Sequence, residues 1–314
     1  MRPAFSVLLL TTLIGAAQGL FLALFVVQLG ALAGLVPPQE GHRFYAHGSL
    51  LALALLVAGL VASFFHLGRP ERAWRAAAMW RTSWLSREVI VLPVFMAIVL
   101  LFGVAHFAGS IDASLALGIA GTVVAFALYV CTAMIYACLP FLREWASPLT
   151  IANFILLGGA SGFTLAAAFA VIAAPELIRF FAAWAFVLTL LGGGCRVASL
   201  VRNARLRPKS TLQTAIGIKH PRIVQRSMGF MGGSFNTREF FHGRPLSFVR
   251  SVKAIFLAMA FALPLLLLGA AWSGAPTALL PVAFVVQYLG LLAERWYFFA
   301  EANHPQNLYY QAIA

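Results

Sequence analysis

Eight apolar runs, each long enough to cross about 30 Å of hydrocarbon as a helix, constrain this chain more than any motif it carries. They lie near residues 6 to 35, 48 to 67, 89 to 109, 114 to 139, 150 to 174, 177 to 199, 254 to 273 and 277 to 298. A bilayer core offers no water to backbone N–H and C=O groups, so a spanning segment must satisfy them itself. Unbroken runs of this length specify helices. The expected fold is therefore all-α: a polytopic membrane bundle of about eight transmembrane helices, one membrane domain over residues 1 to 314. A polar, basic loop at 200 to 253 is inserted between the sixth and seventh spans. The links at 110 to 113 and 274 to 276 are so short that the helices they join must be antiparallel neighbours.

Only 10% of the residues are charged, against about a quarter in soluble domains, which excludes an ordinary soluble fold. Arg2 and the first apolar run resemble a secretory signal, but the run continues to about Val36 without a convincing A-x-A cleavage site, longer than a signal core allows. It reads as the first membrane helix.

The 22 Lys+Arg outnumber the 9 Asp+Glu, yet they sit between apolar runs instead of forming one exposed tract, so nucleic acid is not the expected partner. With an even number of spans both termini share a side with the loops at 68 to 88, 140 to 149 and 200 to 253. All the basic residues except Arg43 and Arg179 fall on that side. The positive-inside rule then places both termini and these loops in the cytoplasm of a bacterial inner membrane protein.

One short loop carries most of the chemistry. It runs His66-Leu67-Gly68-Arg69-Pro70-Glu71-Arg72-Ala73-Trp74 and resumes at Leu85-Ser86-Arg87-Glu88. Chain reversal between antiparallel helices returns Glu88 to roughly the depth of His66, so two proton-exchanging groups can face one pocket at the membrane surface. Ionisable groups at a bilayer edge usually have a function, and quinone chemistry fits these, because quinone reduction takes up two protons with two electrons. Arg69, Arg72, Trp74 and Trp84 complete the candidate quinone pocket. The same residue types also fit a plain helix end, with His66 as a cap, Glu88 paired to Arg87 or Arg69, tryptophans at the interface and arginines on lipid head groups.

Other features are subordinate. The segment from Gly229 to Gly243, with Arg238, Phe240, Phe241 and His242, is aromatic-rich outside the bilayer and reads as a docking surface for a soluble partner, or as a loop folded on its own helix ends. Glu294 beside Arg295 reads as a helix-end device that can also help line the pocket. Gly158 and Gly162 form a small-xxx-small pair suited to close helix packing; Pro93 and Pro264 are expected to kink their helices. Cys131, Cys138 and Cys195 have no cluster-ligand spacing, so they read as small buried packing residues, and any metal cluster belongs to another subunit. His47 and His106 share the face opposite His66, where one haem between them is geometrically possible; a di-haem site needs four ligands and is excluded.

At His66-Leu67-Gly68-x-Pro70-x-x-Ala73, and at the Leu-Ser-x-Glu ending on Glu88, the chain resembles the membrane anchor subunits of dimethyl sulfoxide reductase, the DmsC family, including the related sulfite dehydrogenase anchors. The resemblance implies a haem-free anchor that binds ubiquinone or menaquinone near His66 and Glu88. It further implies an iron–sulfur electron-transfer subunit and a molybdopterin catalytic subunit held on the membrane. The basic loop and the Glu294-Arg295-Trp296-Tyr297-Phe298-Phe299 tail look more like the sulfite-oxidising branch. A transporter reading requires charged or broken helices converging at mid-membrane, and the span centres are almost free of charge. A membrane-embedded hydrolase requires a nucleophile or metal set, and no HExxH motif is present.

Overall fold

A computed structural model of the chain describes residues 1–207, 211–224 and 242–305, and all their regular structure is helical. Among the described residues eight helices are long and apolar enough to cross a membrane, the number the apolar runs predict. The first six spans contain α1 (Phe5–Leu32), α2 (His47–Phe64), α3 (Trp84–Phe107), α4 (Ile111–Ala137), α5 (Pro148–Ala173) and α6 (Ile178–Ala204). A short α7 (Leu212–Ile216) follows. The seventh span joins α8 (Leu246–Leu257) through a π-turn at Ala258–Ala262 to α9 (Leu263–Trp272), and α10 (Leu279–Glu301) is the eighth.

Several helices begin or end outside the apolar runs. The third starts at Trp84 and takes in Glu88; the sixth runs to Ala204 and takes in Arg202. Hydropathy marks the part of a helix that lies in hydrocarbon, while the backbone ladder continues through charged residues that reach the interface.

The interior is organised around α1, which packs against α2, α4, α5 and α10. Its contact with α5 is a close crossing of backbones and depends on glycine. A Cβ at Gly19 would lie 2.3 Å from the Gly158 carbonyl oxygen, and one at Gly162 would lie 2.2 Å from the Gly19 carbonyl carbon. Only hydrogen fits at that crossing, as the small-xxx-small pattern predicts. Near the middle of the bundle, Phe21 and Phe25 of α1 pack on Gly121 and Gly118 of α4, and the Phe21 ring meets Phe95 and Phe102 edge-on.

Pro264 shows how a helix breaker is accommodated. Its missing N–H leaves the carbonyl four residues earlier, Ala260, without its usual donor. The π-turn sits at that point, and Gln287 of α10 donates to the Ala260 carbonyl at 3.5 Å and to Thr189 Oγ1 at 2.9 Å. Among the cysteines, Cys131 is buried, Cys195 half-buried and Cys138 exposed. Cys138 departs from the packing role expected of it because it caps α4 where the helix emerges from the bundle.

The N-terminus and the end of α10 meet on one face. The Met1 ammonium donates to the carbonyls of Phe299 and Ala302 at 3.1 and 2.9 Å, and the ends of α2, α4 and α6 share that side by alternation. Arg202 ties α6 to the α4–α5 connection through the carbonyls of Arg143 and Ala146. This is the basic face, and the candidate site lies just inside it.

Candidate functional site

The link from α2 to α3 is a 3₁₀ helix over Pro70–Met79, opened by a proline whose fixed φ suits a first helical position. Ser83 then caps α3, its side chain accepting the Ser86 N–H at 3.3 Å. Arg87 is held outward: its guanidinium donates to the carbonyls of Trp80 and Arg81 at 2.9 and 2.8 Å and stands 4.1 Å from the Trp84 ring centre. The next residue lies about 100° around the helix, so fixing Arg87 at the surface turns Glu88 into the bundle. Glu88 is 6% exposed, about 6 Å of helix rise inside the start of α3.

There the carboxylate accepts a hydrogen bond from Thr132 of α4 at 2.5 Å. No cation among the described residues stands within ion-pair distance of it. Burying a carboxylate without a paired cation costs several kcal/mol, so a purely structural role explains this residue poorly.

Glu88 borders an internal chamber of about 20 Å³, shared with Thr11, Gln18, Tyr129, Thr132, Ser161 and Arg295. That is room for one water and not for a ring. Its far walls are pinned across helices: Gln18 donates to the Ala125 carbonyl at 2.7 Å and Tyr129 to the Gly15 carbonyl at 2.9 Å. Gly158 exists for the same reason, since a Cβ there would meet the Tyr129 ring at 2.4 Å.

Beyond Arg295 the chamber adjoins a buried ionic cluster. Arg196 of α6 places Nε 2.7 Å from Glu294 Oε1 and Nη2 3.6 Å from Glu301 Oε2; Arg295 Nε lies 3.6 Å from Glu294 Oε2. Arg196 and Glu294 are 2% and 1% exposed. The Arg295 guanidinium stands 3.7 Å from the Phe154 ring centre, a cation–π contact that supports the charge away from water. Around it Tyr136, Trp145, Phe298 and Phe299 form an aromatic cluster, with the Trp145 indole N–H donating to the Phe298 carbonyl at 2.9 Å.

The structure separates the six residues expected to form one pocket. Glu88 is inside, Trp84 is half-buried beneath Arg87, and His66, Arg69, Arg72 and Trp74 are exposed on the loop. None of those five lines the Glu88 chamber. The ring of His66 is desolvated by the surrounding chain, which lowers its pKa from the ordinary histidine value. Arg72 pairs with Glu71 at 3.8 Å. Neither alternative partner expected for Glu88 is used, since Arg87 binds carbonyls and Arg69 stays on the surface.

Of the candidate docking residues, Arg238, Phe240 and Phe241 lie outside the described residues. His242 is half-buried, its ring 6.2 Å from that of Trp296, which brings that end of the segment to the basic face. His47 hydrogen-bonds the Arg43 carbonyl at 3.1 Å, and His106 stacks on Tyr45 at 4.0 Å. No group of three or more His, Cys, Asp or Glu side chains among the described residues is placed to hold a metal ion. Reasoning from sequence passed over Arg196. The signal it offered was an arginine in an otherwise apolar run, eight residues before the helix ends.

Eight spans whose buried arginine and glutamate side chains, among the described residues, gather at one face define a multi-pass membrane protein with one-sided chemistry. Residues 1–220 match the family described as DMSO reductase anchor subunit (DmsC), and the chain belongs to that family. Over the whole of both chains it is 56% identical to a sulfite dehydrogenase subunit from Allochromatium vinosum. It is therefore a membrane anchor subunit of an oxidoreductase, and catalytic partner subunits are implied.

Proposed function

We propose that this anchor exchanges electrons and protons between the quinone pool and a partner's redox centres at the cytoplasmic edge of the inner membrane. Quinone lies against the loop and the start of α3, among His66, Arg69, Arg72, Trp74 and Trp84, and Glu88 handles protons from behind. The observation that carries this reading is Glu88 itself: a carboxyl inside a membrane bundle, bonded to a neutral threonine, beside a chamber with room for a water. Such a group can take up and give back a proton as its surroundings change.

The partners are an iron–sulfur electron-transfer subunit and a molybdopterin catalytic subunit, and no metal or haem is held by this chain. Full-length similarity to a sulfite dehydrogenase subunit favours sulfite oxidation with quinone as acceptor over S-oxide reduction with quinol as donor. The basic face is cytoplasmic on the positive-inside rule.

The test is Glu88→Gln in the assembled complex. Quinone-linked turnover should fall about 100-fold, the scale of a lost general acid–base group, while the soluble subunits still react with an artificial dye. Unchanged quinone turnover refutes the role of Glu88, and equal loss in both assays marks a failure of assembly.

A further inference from the structure

Protons that reach Glu88 must come from water at the basic face, and a chain of buried charged residues runs from that face to the chamber that Glu88 borders. We propose that Glu301, Arg196, Glu294 and Arg295 form a proton connection from the cytoplasm to the Glu88 chamber; this rests on the quinone reading above.

The four residues are contiguous. The Glu301 side chain, 15% exposed, reaches the surface, where Glu144, Lys253 and Asn203 face it. One guanidinium, that of Arg196, bridges it to Glu294. The second Glu294 oxygen faces Arg295, which lines the chamber, and Tyr136 stands near both Arg295 and Glu88.

The geometry differs from that of an ion-pair clamp. A clamp uses short, aligned, often bidentate bonds. Here two of the three links to the carboxylates are 3.6 Å long. Glu294 Oε2 and both Arg196 Nε and Nη2 are buried with no hydrogen bond of good geometry among the described residues. Buried polar atoms are satisfied by protein or by water, and water beside these atoms, carrying the proton from one carboxylate to the next, is part of the proposal. Arg295 rests on aromatic rings, and its N–H edge is left for Glu294 and the chamber.

The charges balance, with two guanidinium groups against two carboxylates. A proton added to Glu301 or Glu294 leaves the cluster one charge positive, which favours passing it on toward Glu88. In quinone reduction the ring takes two electrons from the partner's reduced iron–sulfur centre and two protons from cytoplasmic water. Along the route only O–H bonds break and form, and each carboxylate ends as it began.

The experiment uses the intact complex in native membranes. For Glu294→Gln the expected result is an about 100-fold fall in quinone-linked turnover, an unchanged dye-linked rate, and partial recovery on adding formate or azide, small weak acids that ferry protons into a blocked path. Glu294→Asp should retain most activity. Loss in Glu294→Gln with no recovery by weak acid, and equal loss in Glu294→Asp, would make the cluster structural and overturn the proposal. Wild-type turnover in Glu294→Gln beside a dead Glu88→Gln removes the relay and spares the quinone reading; wild-type turnover in both removes the reading itself. If Glu294→Gln does not assemble, Glu301→Gln near the surface carries the same test, with an about tenfold fall expected on the same grounds.

Discussion

Replacing Gly162 by alanine tests whether the chamber depends on the α1–α5 crossing. The added methyl would lie 2.2 Å from the Gly19 carbonyl carbon, 2.3 Å from its Cα and 2.3 Å from the Leu20 nitrogen. All three are backbone atoms, so no side chain can swing aside. The helices must part by about 1.2 Å to restore ordinary contact, an overpacking that costs about 3 kcal/mol. Alanine returns about 1 kcal/mol of helix propensity, leaving a net loss near 2 kcal/mol. Gly159 on the same helix is the control: a methyl there meets only Leu188 Cδ1 at 3.6 Å, so the propensity gain stands alone. The two variants should differ by about 3 kcal/mol, with opposite signs relative to wild type. Thermal unfolding in detergent, followed by tryptophan fluorescence, reads the difference. Thr11 and Gln18 on α1 and Ser161 on α5 line the chamber, so Gly162→Ala should also lower quinone-linked turnover. If Gly162→Ala proves as stable as Gly159→Ala, the close backbone crossing is wrong.

Thr132→Val removes the hydroxyl that donates to Glu88. It should slow quinone-linked turnover several-fold, less than Glu88→Gln, in the same assay; a larger effect would mean that Thr132 acts on its own. Desolvation lowers the His66 pKa, so the ring is neutral above the ordinary histidine range and protonates only below it. His66→Gln should therefore leave the pH profile between about 7 and 8.5 unchanged, and a step in that window that vanishes in the variant would show a protonated His66 at work. An alkaline phosphatase fusion at residue 220 should be inactive, and a bright signal would reverse the topology. Deleting residues 229 to 243 should release the soluble subunits from membranes, which fractionation would show; their retention would count against docking there.

The bundle was legible because hydropathy and helix length are local properties. Eight runs gave eight spans, and Gly158 and Gly162 announced a close crossing. The site was legible only in part. Glu88 could be named because a carboxyl beside a span is rare, but its partner could not. Thr132 is an ordinary residue on the next helix, brought within hydrogen-bond distance by the antiparallel register of α3 and α4. Reading the loop by chain reversal placed His66 at the depth of Glu88. It could not show that Arg87, fastened to Trp80 and Arg81, turns Glu88 inward while His66 remains on the surface. Arg196 was hidden for the opposite reason: its meaning comes from Glu294 and Glu301, about a hundred residues away in sequence.

Depth separates one-sided chemistry from transport. Arg196 lies about 12 Å of helix rise from the end of α6, Glu294 about 10 Å from that of α10, and Glu88 about 6 Å from the start of α3, all from the basic face. Further in, the bonds from Gln18 to Ala125 and from Tyr129 to Gly15 close the chamber, and the glycine-seated rings of Phe21 and Phe25 fill the space behind. An alternating-access transporter places its charged site near the midplane, between parts that rock apart. Here the helices at that level meet backbone to backbone and aromatic to glycine, and the buried charges stop short of it. On the proposed reading the two protons that quinone takes up come from the basic face. Oxidation of sulfite with water by the partner subunits releases two protons on that same side, so turnover of the complex should generate no transmembrane proton gradient of its own. A pH difference across the membrane of vesicles holding the isolated complex, growing in step with turnover, would contradict that conclusion.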